Sequence, residues 1–124
     1  MFKGFTLGTK KDTTKAVGDA AEDRALAHIE QHGLTLVARN FRCKCGEIDL
    51  ILKDGDVLVF VEVRYRKRQD YGSALESVTA SKQKKIHNSA QYYLQTKALG
   101  ESQAIRFDVV AMSPNDIQWI QHAF

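Results

Sequence analysis

The sequence predicts an α/β protein in which a mixed central β-sheet is flanked by helices, with the elements in the order αβββαββ. A pair of apolar strands joined by a tight turn lies in the middle of the chain. Segments with a helical spacing of apolar residues lie on either side of this pair, and two more apolar strands follow the second helix. That helix is long enough to return strand four parallel to strand three, by a crossover that is expected to be right-handed.

The length of the chain, 124 residues, is enough for one domain with one core. We predict a flexible arm over residues 1–15 and a single domain over residues 16–124. The hydrophobic fraction of 44% beside 27% charged residues is that of an ordinary globular protein in water. Because the sequence has neither a membrane span nor the apolar core of a secretory signal, we expect a cytoplasmic protein with no membrane partner.

The first helix is expected from Ala16 until Gly33, a natural C-terminal stop, and the first strand follows at residues 34–41. Glu22 falls on the apolar face of this helix, so its carboxylate should point into the protein, where it needs a partner. One interpretation is an ion pair with a basic residue such as Arg64. The other is that Glu22 joins further acids around a metal ion.

A hairpin at residues 46–66 turns at Asp54-Gly55, since Asp-Gly supplies the positive φ angles of a two-residue loop. The second strand of the hairpin is apolar on both faces over most of its length and should be central in the sheet. Three charged residues interrupt the two strands, and each is costly there without a partner: Asp49, Glu62 and Arg64.

This turn sets the register of the hairpin. Asp49 is expected to pair with Phe60 and to lie diagonal to Glu62, roughly 7 Å away, while Glu47 falls directly opposite Glu62. Two carboxylates at that spacing can share one divalent cation. The structural alternative is that Glu62 forms an ion pair with Arg64 and that Asp49 is hydrogen-bonded into the same network.

The second helix is predicted from the N-cap Thr79 to about Lys97, and its inward stripe includes Ile86. Lys82 lies one turn before Ile86 on that stripe, so it enters the region of the charged strand residues. The chain closes with two strands, of which the second is placed at the sheet edge: residues 104–112 and 117–124.

Four segments together resemble the YraN-like family of small bacterial proteins, predicted endonucleases distantly related to archaeal Holliday-junction resolvases. They are GEIDLI, VFVEVRYR, SVTASKQKKI and RFDVV, within residues 17–110. The resemblance implies a restriction-endonuclease-like fold, whose motif is an Asp in one strand and Glu-X-Lys in the next. This chain has Arg64 at the lysine position. Arginine does not lose its proton at working pH, so Arg64 cannot act as a general base.

The resemblance also implies roles for residues of this chain. Asp49 and Glu62 are expected to be metal ligands for Mg²⁺ or Mn²⁺, with Glu22 as a third and the carbonyl of Val63 as a further oxygen. The expected catalytic set is Asp49, Glu62, Arg64 and Lys82, with Glu47 and Gln83 as accessory residues.

Basic residues near this site are candidates for phosphate contacts, although solvated charge is the simpler interpretation for some of them. They are Arg66, Lys67, Arg68, Lys84 and Lys85. Three tyrosines are candidates for stacking on unpaired bases: Tyr65, Tyr71 and Tyr92. Cys43 and Cys45 are interpreted as free thiols, because the histidines lack the spacing of a four-ligand zinc site.

These observations predict a metal-dependent endonuclease that hydrolyses DNA, with branched or structured DNA as the substrate that the resemblance implies. A homodimer is expected on the same ground. The alternative is a protein of the same fold that binds nucleic acid, or serves as an accessory subunit, without cutting.

Overall fold

The structure, a computed structural model, describes residues 10–67 and 75–124, with side chains from residue 15 onward. Its elements follow the predicted order αβββαββ: α1 (Lys10–Glu30), β1 (Thr35–Cys43), β2 (Gly46–Asp54), β3 (Val57–Tyr65), α2 (Ala80–Thr96), β4 (Ile105–Ser113) and β5 (Asp116–Ile120). The strands form one sheet in the order β1-β2-β3-β4-β5. Only β3 and β4 pair in parallel, so β3 is central and β5 lies at an edge, as predicted.

The two helices cover opposite faces of the sheet. On one face, Ala25 and Ile29 of α1 pack with a cluster that includes Leu50 and Val59. On the other, α2 packs its predicted inward stripe against a cluster around Phe60. The result is a three-layer arrangement of helix, sheet and helix, which confirms the predicted fold class.

Helix α1 begins at Lys10, six residues before the predicted start at Ala16. Residues 10–15 of the predicted arm are therefore helical, and the rest of it, residues 1–9, lies outside the described residues. The predicted stop is confirmed, since Gly33 has a φ of 89° shortly after the helix has ended in a turn.

The predicted hairpin register is wrong by two residues. The loop is Gly55-Asp56 rather than Asp54-Gly55, and Asp54 pairs with Val57. Glycine at the first loop position, with a φ of 60°, is the pattern of a type II′ turn, and an Asp-Gly pair is compatible with either loop. Because the shift is an even number of residues, Asp49 and Glu62 still face the same way, and they become nearer neighbours than predicted.

The final strand is shorter than predicted, because β5 ends at Ile120. Soon afterwards His122 adopts a φ of 52°, and its backbone N–H donates to Asp108 at 3.1 Å. Neither helix in the described part of the chain has the length and apolar character that a membrane crossing requires.

Candidate active site

A cavity of about 330 Å³ opens between the β2–β3 pair and the first turns of α2. It brings together six of the residues that the sequence predicts for the site, and Gly46 and Ile86 complete its lining. The six are Glu47, Asp49, Glu62, Arg64, Lys82 and Lys85. Acidic and basic side chains thus share one opening at the carboxyl end of β3.

Asp49 occupies the point where β2 and β3 separate. The last backbone pair of the two strands is Leu50 with Val61, and the next residues are Asp49 and Glu62. Beyond that pair, the N–H of Val63 donates to Asp49 Oδ2 at 2.8 Å. The carboxylate therefore takes over a strand hydrogen bond, which holds it beside Glu62.

The Asp49 carboxyl is poorly solvated and lies close to a second acid. Burial, followed by the negative charge of Glu62, raises its pKa to about 8, against the stabilising effect of the Val63 N–H. The Glu62 side chain raises the pKa of Asp49 further as a hydrogen-bonding neighbour, and the charge of Glu47 also raises it. Near neutral pH the Asp49 carboxyl therefore holds a proton.

This raised pKa makes stability fall as pH rises. An Asp that titrates near 8 when folded and near 3.8 when unfolded binds more protons in the folded state between those values. Its stabilising contribution is complete at low pH and is lost as pH rises through the folded pKa. We expect metal-free wild type to lose up to about 1.4 kcal/mol per pH unit relative to Asp49→Asn in chemical denaturation. Parallel curves for the two proteins would contradict a protonated Asp49.

Glu62 also has a basic partner. Arg64 Nη2 lies 2.6 Å from Glu62 Oε2, and both side chains are mostly buried. Arg64 Nε is buried without a hydrogen-bond partner in the described residues. The ion pair of the structural alternative is thus present, while Arg64 Nε remains a donor without a partner among the described residues.

Glu22 approaches the site from α1, as its place on the apolar face predicts. Its side chain is 13% exposed, and its ion-pair partner is Arg39 at 3.4 Å rather than Arg64. Burial raises the pKa of Glu22, and the charge of Asp49 raises it further. Glu22 is therefore close enough to interact with Asp49 but is held at the α1 side.

Within residues 10–67 and 75–124, no three His, Cys, Asp or Glu side chains are arranged so that they could hold a metal ion together. The predicted set of Glu22, Asp49 and Glu62 is thus not assembled in advance. The Asp49 and Glu62 pair nevertheless suits Mg²⁺, which is often bound by one or two carboxylates and keeps several of its waters. A cation bound there would replace the proton of Asp49 and neutralise the negative charge of the carboxylates.

The first turns of α2 carry the predicted basic residues. Thr79 is the N-cap, as predicted, and its hydroxyl accepts from the Lys82 N–H at 3.3 Å. Lys82 and Lys85 line the cavity, whereas Lys84 is exposed outside it. Gln83 donates its amide to the Val78 carbonyl at 3.1 Å, so it secures the start of the helix instead of facing the site.

The other predicted nucleic-acid contacts are only partly described. Lys67 is exposed, and the Arg66 side chain donates to the Tyr65 carbonyl at 3.2 Å. Tyr65 packs against the α1 cluster, which takes its ring away from the cavity, while Tyr92 is 46% exposed. The two remaining candidates, Arg68 and Tyr71, lie outside the described residues.

Comparison with known proteins identifies the family. Residues 21–112 match the model of a family described as "Uncharacterised protein family UPF0102". The chain belongs to this family. The match confirms the resemblance to YraN-like proteins and places the chain in the restriction-endonuclease-like superfamily.

Curated UPF0102 relatives cover nearly all of the chain. A UPF0102 protein of Cupriavidus pinatubonensis is 51% identical over 92% of this chain and 89% of its own length. A UPF0102 protein of Dechloromonas aromatica is 52% identical over 91% of this chain and 92% of its own length. A UPF0102 protein of Pseudomonas fluorescens strain Pf0-1 is 47% identical over 86% of this chain and 91% of its own length. Residues 21–112 of this chain, which match the family model, include every acid of the candidate site.

The sequence analysis missed three residues of this chain that lie beside the site, all on β1: Arg39, Asn40 and Arg42. Arg39 pairs with Glu22 and Asp23, and Arg42 lies 3.2 Å from Glu47. Asn40 lines a neighbouring cavity of about 530 Å³ that also contains Glu22 and Glu47. The three polar residues in the segment RNFR, near the end of an otherwise apolar strand, were the sequence signal that could have identified them.

The two thiols lie at the turn between β1 and β2. Cys43 and Cys45 are free, in agreement with their interpretation, and Cys43 Sγ lies 3.5 Å from Ser89 Oγ on α2. Hydrogen bonds from Ser89 and neighbouring groups lower the pKa of Cys43 against the opposing effect of burial, which is the largest single influence. The Cys43 contact therefore connects the β1–β2 turn to α2.

Proposed function

We propose that this chain is a divalent-cation-dependent endonuclease that hydrolyses DNA phosphodiester bonds, with branched or otherwise structured DNA as its substrate. The observation that carries the proposal is that Asp49 and Glu62 lie side by side in a cavity that Lys82 and Lys85 also line. Phosphodiester hydrolysis requires a nucleophile generated from water and neutralisation of charge on the phosphate, which a cation held by acids and nearby ammonium groups can supply.

Asp49, Glu62 and the carbonyl of Val63 would hold Mg²⁺ or Mn²⁺, and Glu22 would be a further ligand. When bound, such an ion lowers the pKa of water and neutralises charge on phosphate oxygens. The Val63 N–H keeps the Asp49 carboxylate at its position, since it donates to one oxygen and leaves the other available. Glu47 adds a negative charge at the rim of the cavity and forms an ion pair with Arg42.

The basic residues would bind and orient the phosphate. Arg64 keeps its charge throughout the working pH range, so its role is to stabilise negative charge on phosphate oxygens rather than to remove a proton. Lys82 and Lys85 come from the first turns of α2, where the helix dipole also favours a negative ligand. Lys82 is the residue that we propose to compensate for the absence of a lysine at position 64.

The experiment that tests this proposal is a cleavage assay with a four-way DNA junction and a linear duplex of the same sequence, with and without Mg²⁺. Wild type should cut the junction in the presence of Mg²⁺, and Glu62→Gln should not. Glu101→Gln is the matched control, because Glu101 is an exposed acid in the turn after α2, outside the cavity. Absence of metal-dependent cutting by wild type on both substrates would overturn the proposal.

One observation favours the non-cleaving alternative. Arg64 stands where the superfamily pattern has lysine, and it already engages Glu62 at 2.6 Å. A protein that binds the junction tightly but cuts neither substrate would establish this nucleic-acid-binding or accessory function instead. A homodimer remains part of the proposal, since two paired subunits are needed to cut two strands together.

Binding to DNA should depend on the cavity lysines whichever function is correct. We expect Lys82→Gln/Lys85→Gln to lower the slope of log binding constant against log salt by roughly 1.8, because each duplex phosphate that a lysine neutralises adds about 0.9 to that slope. The measurement is fluorescence anisotropy without divalent cations. Lys53→Gln, at the far end of β2, should leave the slope unchanged. An unaltered slope in the double variant would remove both lysines from the interface.

A further inference from the structure

Two histidines lie one turn apart at the end of α1, against the edge strand β5. The spacing of His28 and His32 places both side chains on one face of the helix, and their ring centroids are 5.5 Å apart. Both rings make edge-to-face contacts with Trp119 of β5, His32 at 5.2 Å and His28 at 6.4 Å between centroids. His32 is exposed and His28 is half-buried. The three rings therefore form a cluster that solvent can reach.

The backbone at the end of α1 determines the tautomer of His32. The last turn is tightened, so that the His32 N–H donates to the Ile29 carbonyl, three residues back, at 2.9 Å. The His28 carbonyl lies 3.1 Å from His32 Nδ1. Because a carbonyl only accepts hydrogen bonds, Nδ1 is the nitrogen that carries the proton of neutral His32. The other ring nitrogen, Nε2, then has a free lone pair, which is the form that binds a metal ion.

Trp119 restricts the positions that the two imidazoles can take. Its Nε1–H donates to Asp108 Oδ2 at 2.9 Å, and the Asp108 side chain is fully buried. Asp108 is itself held by the Arg106 guanidinium, at 3.1 Å. The indole is therefore fixed against β4, and the histidine rings pack against a rigid wall. Less side-chain freedom is then lost when both rings bind one ligand.

The geometry of the pair suits a metal ion with nitrogen ligands. Two imidazoles on one ion, with metal–nitrogen bonds of about 2.0–2.1 Å, have ring centroids roughly 5 Å apart. His28 and His32 are close to this separation already, so a small rotation of the rings is enough. Imidazole is a preferred ligand of Zn²⁺, Cu²⁺ and Ni²⁺, whereas Mg²⁺ and Mn²⁺ prefer oxygen.

We propose that His28 and His32 form a site for a divalent transition-metal ion of the class of Zn²⁺. Within residues 10–67 and 75–124 no third His, Cys, Asp or Glu joins the pair, so water completes the coordination of the ion. The arrangement of the two rings exists only when the end of α1 is folded. A bound ion therefore stabilises the last turn of α1 beside β5.

This site is separate from the candidate active site and does not depend on the proposed function. His28 lies about 9 Å beyond Glu22 along α1, by the helical rise per residue. Neither histidine lines the cavity that contains Asp49. The ligand class also differs, because the active-site pair offers carboxylate oxygens and this pair offers imidazole nitrogens.

The test uses the fluorescence of Trp119, the only tryptophan in the sequence. Ni²⁺ bound to the rings that contact Trp119 should quench its emission, and the quenching of wild type should saturate at micromolar Ni²⁺. We expect His28→Gln and His32→Gln each to weaken Ni²⁺ binding on the order of 10²-fold, because the second imidazole binds at a high effective concentration. His87→Gln should be quenched as wild type is. It is the matched control, since His87 is an exposed histidine of α2 that contacts Phe107 instead of Trp119.

A second measurement shows whether the ion stabilises the folded end of α1. Zn²⁺ should raise the thermal midpoint of wild type and His87→Gln more than that of His28→Gln/His32→Gln, because the ion binds the folded pair. Asp49→Asn should keep both the Ni²⁺ quenching and the Zn²⁺ shift, which distinguishes this site from the proposed cation site. Three outcomes would overturn the inference: no quenching of wild type, equal quenching of wild type and either single histidine variant, or an equal Zn²⁺ shift in wild type and the double variant.

Discussion

Asp49→Asn should abolish metal-dependent cleavage and at the same time stabilise the metal-free protein at alkaline pH. Loss of a carboxylate ligand should lower the cleavage rate on the order of 10³-fold or more, because a bound cation contributes several kcal/mol of transition-state stabilisation. The asparagine carbonyl can still accept the hydrogen bond from the Val63 N–H, and its amide can donate to Glu62. Repulsion between two ionised acids is then replaced by a hydrogen bond.

The gain in stability should depend on pH. Below its pKa of about 8 the wild-type Asp49 carboxyl is protonated, and above it Asp49 carries a negative charge beside Glu62. The stability of Asp49→Asn relative to wild type should therefore increase by up to about 3 kcal/mol between pH 6 and pH 9, because wild type loses about 1.4 kcal/mol per pH unit up to its pKa. Thermal unfolding in a chelator at both pH values measures this difference, with Glu101→Gln as the control. A variant less stable than wild type at both pH values would show that Asp49 is ionised and stabilising in the fold.

Arg64→Met should have the second largest effect, and its comparison with Arg64→Lys separates charge from geometry. Methionine keeps much of the side-chain length but leaves Glu62 without the partner now 2.6 Å away. We expect cleavage to fall about 10²- to 10³-fold, since one donor aimed at a developing charge is worth about that much. Stability should fall by about 1–3 kcal/mol, less than for a fully buried pair because both side chains keep some exposure.

Arg64→Lys restores the superfamily pattern and should retain most of the activity. Lysine supplies the same charge with one ammonium group instead of a fork of donors, and the unpartnered Nε is removed with it. Rates measured across pH would show whether a lysine here adds an ionisation that arginine cannot have. Equal activity in wild type and Arg64→Met would mean that Arg64 serves only its ion pair with Glu62.

Local sequence signals predicted most of the fold. The Thr79 cap, the Gly33 stop and the central apolar strand each depend on short-range chemistry that the structure confirms. The hairpin register was wrong because Asp54-Gly55-Asp56 is compatible with two loops, and the choice depends on how β2 also pairs with β1. The shared face of Asp49 and Glu62 was nevertheless predicted, because side chains alternate in steps of two.

The acids of the site could be identified from the sequence, but their partners and the distances between them could not. The partner of Glu22 is Arg39, which lies on the edge strand β1. The sheet face to which Arg39 points depends on the bulge near Leu36 and on the left-handed backbone of Asn40. Such irregularities arise from tertiary packing and leave no periodic signal. The separation between Glu22 and the other acids likewise depends on where α1 lies across the sheet.

The most direct test of the central claim is calorimetric titration of Mn²⁺ into wild type and Asp49→Asn at about pH 7, in buffers of different ionisation enthalpy. Because the raised pKa of about 8 keeps Asp49 protonated at that pH, Mn²⁺ binding to wild type should release close to one proton. Asp49→Asn should bind far more weakly and release almost none. No binding by wild type, or unchanged binding and proton release in Asp49→Asn, would contradict a cation site built on this pair.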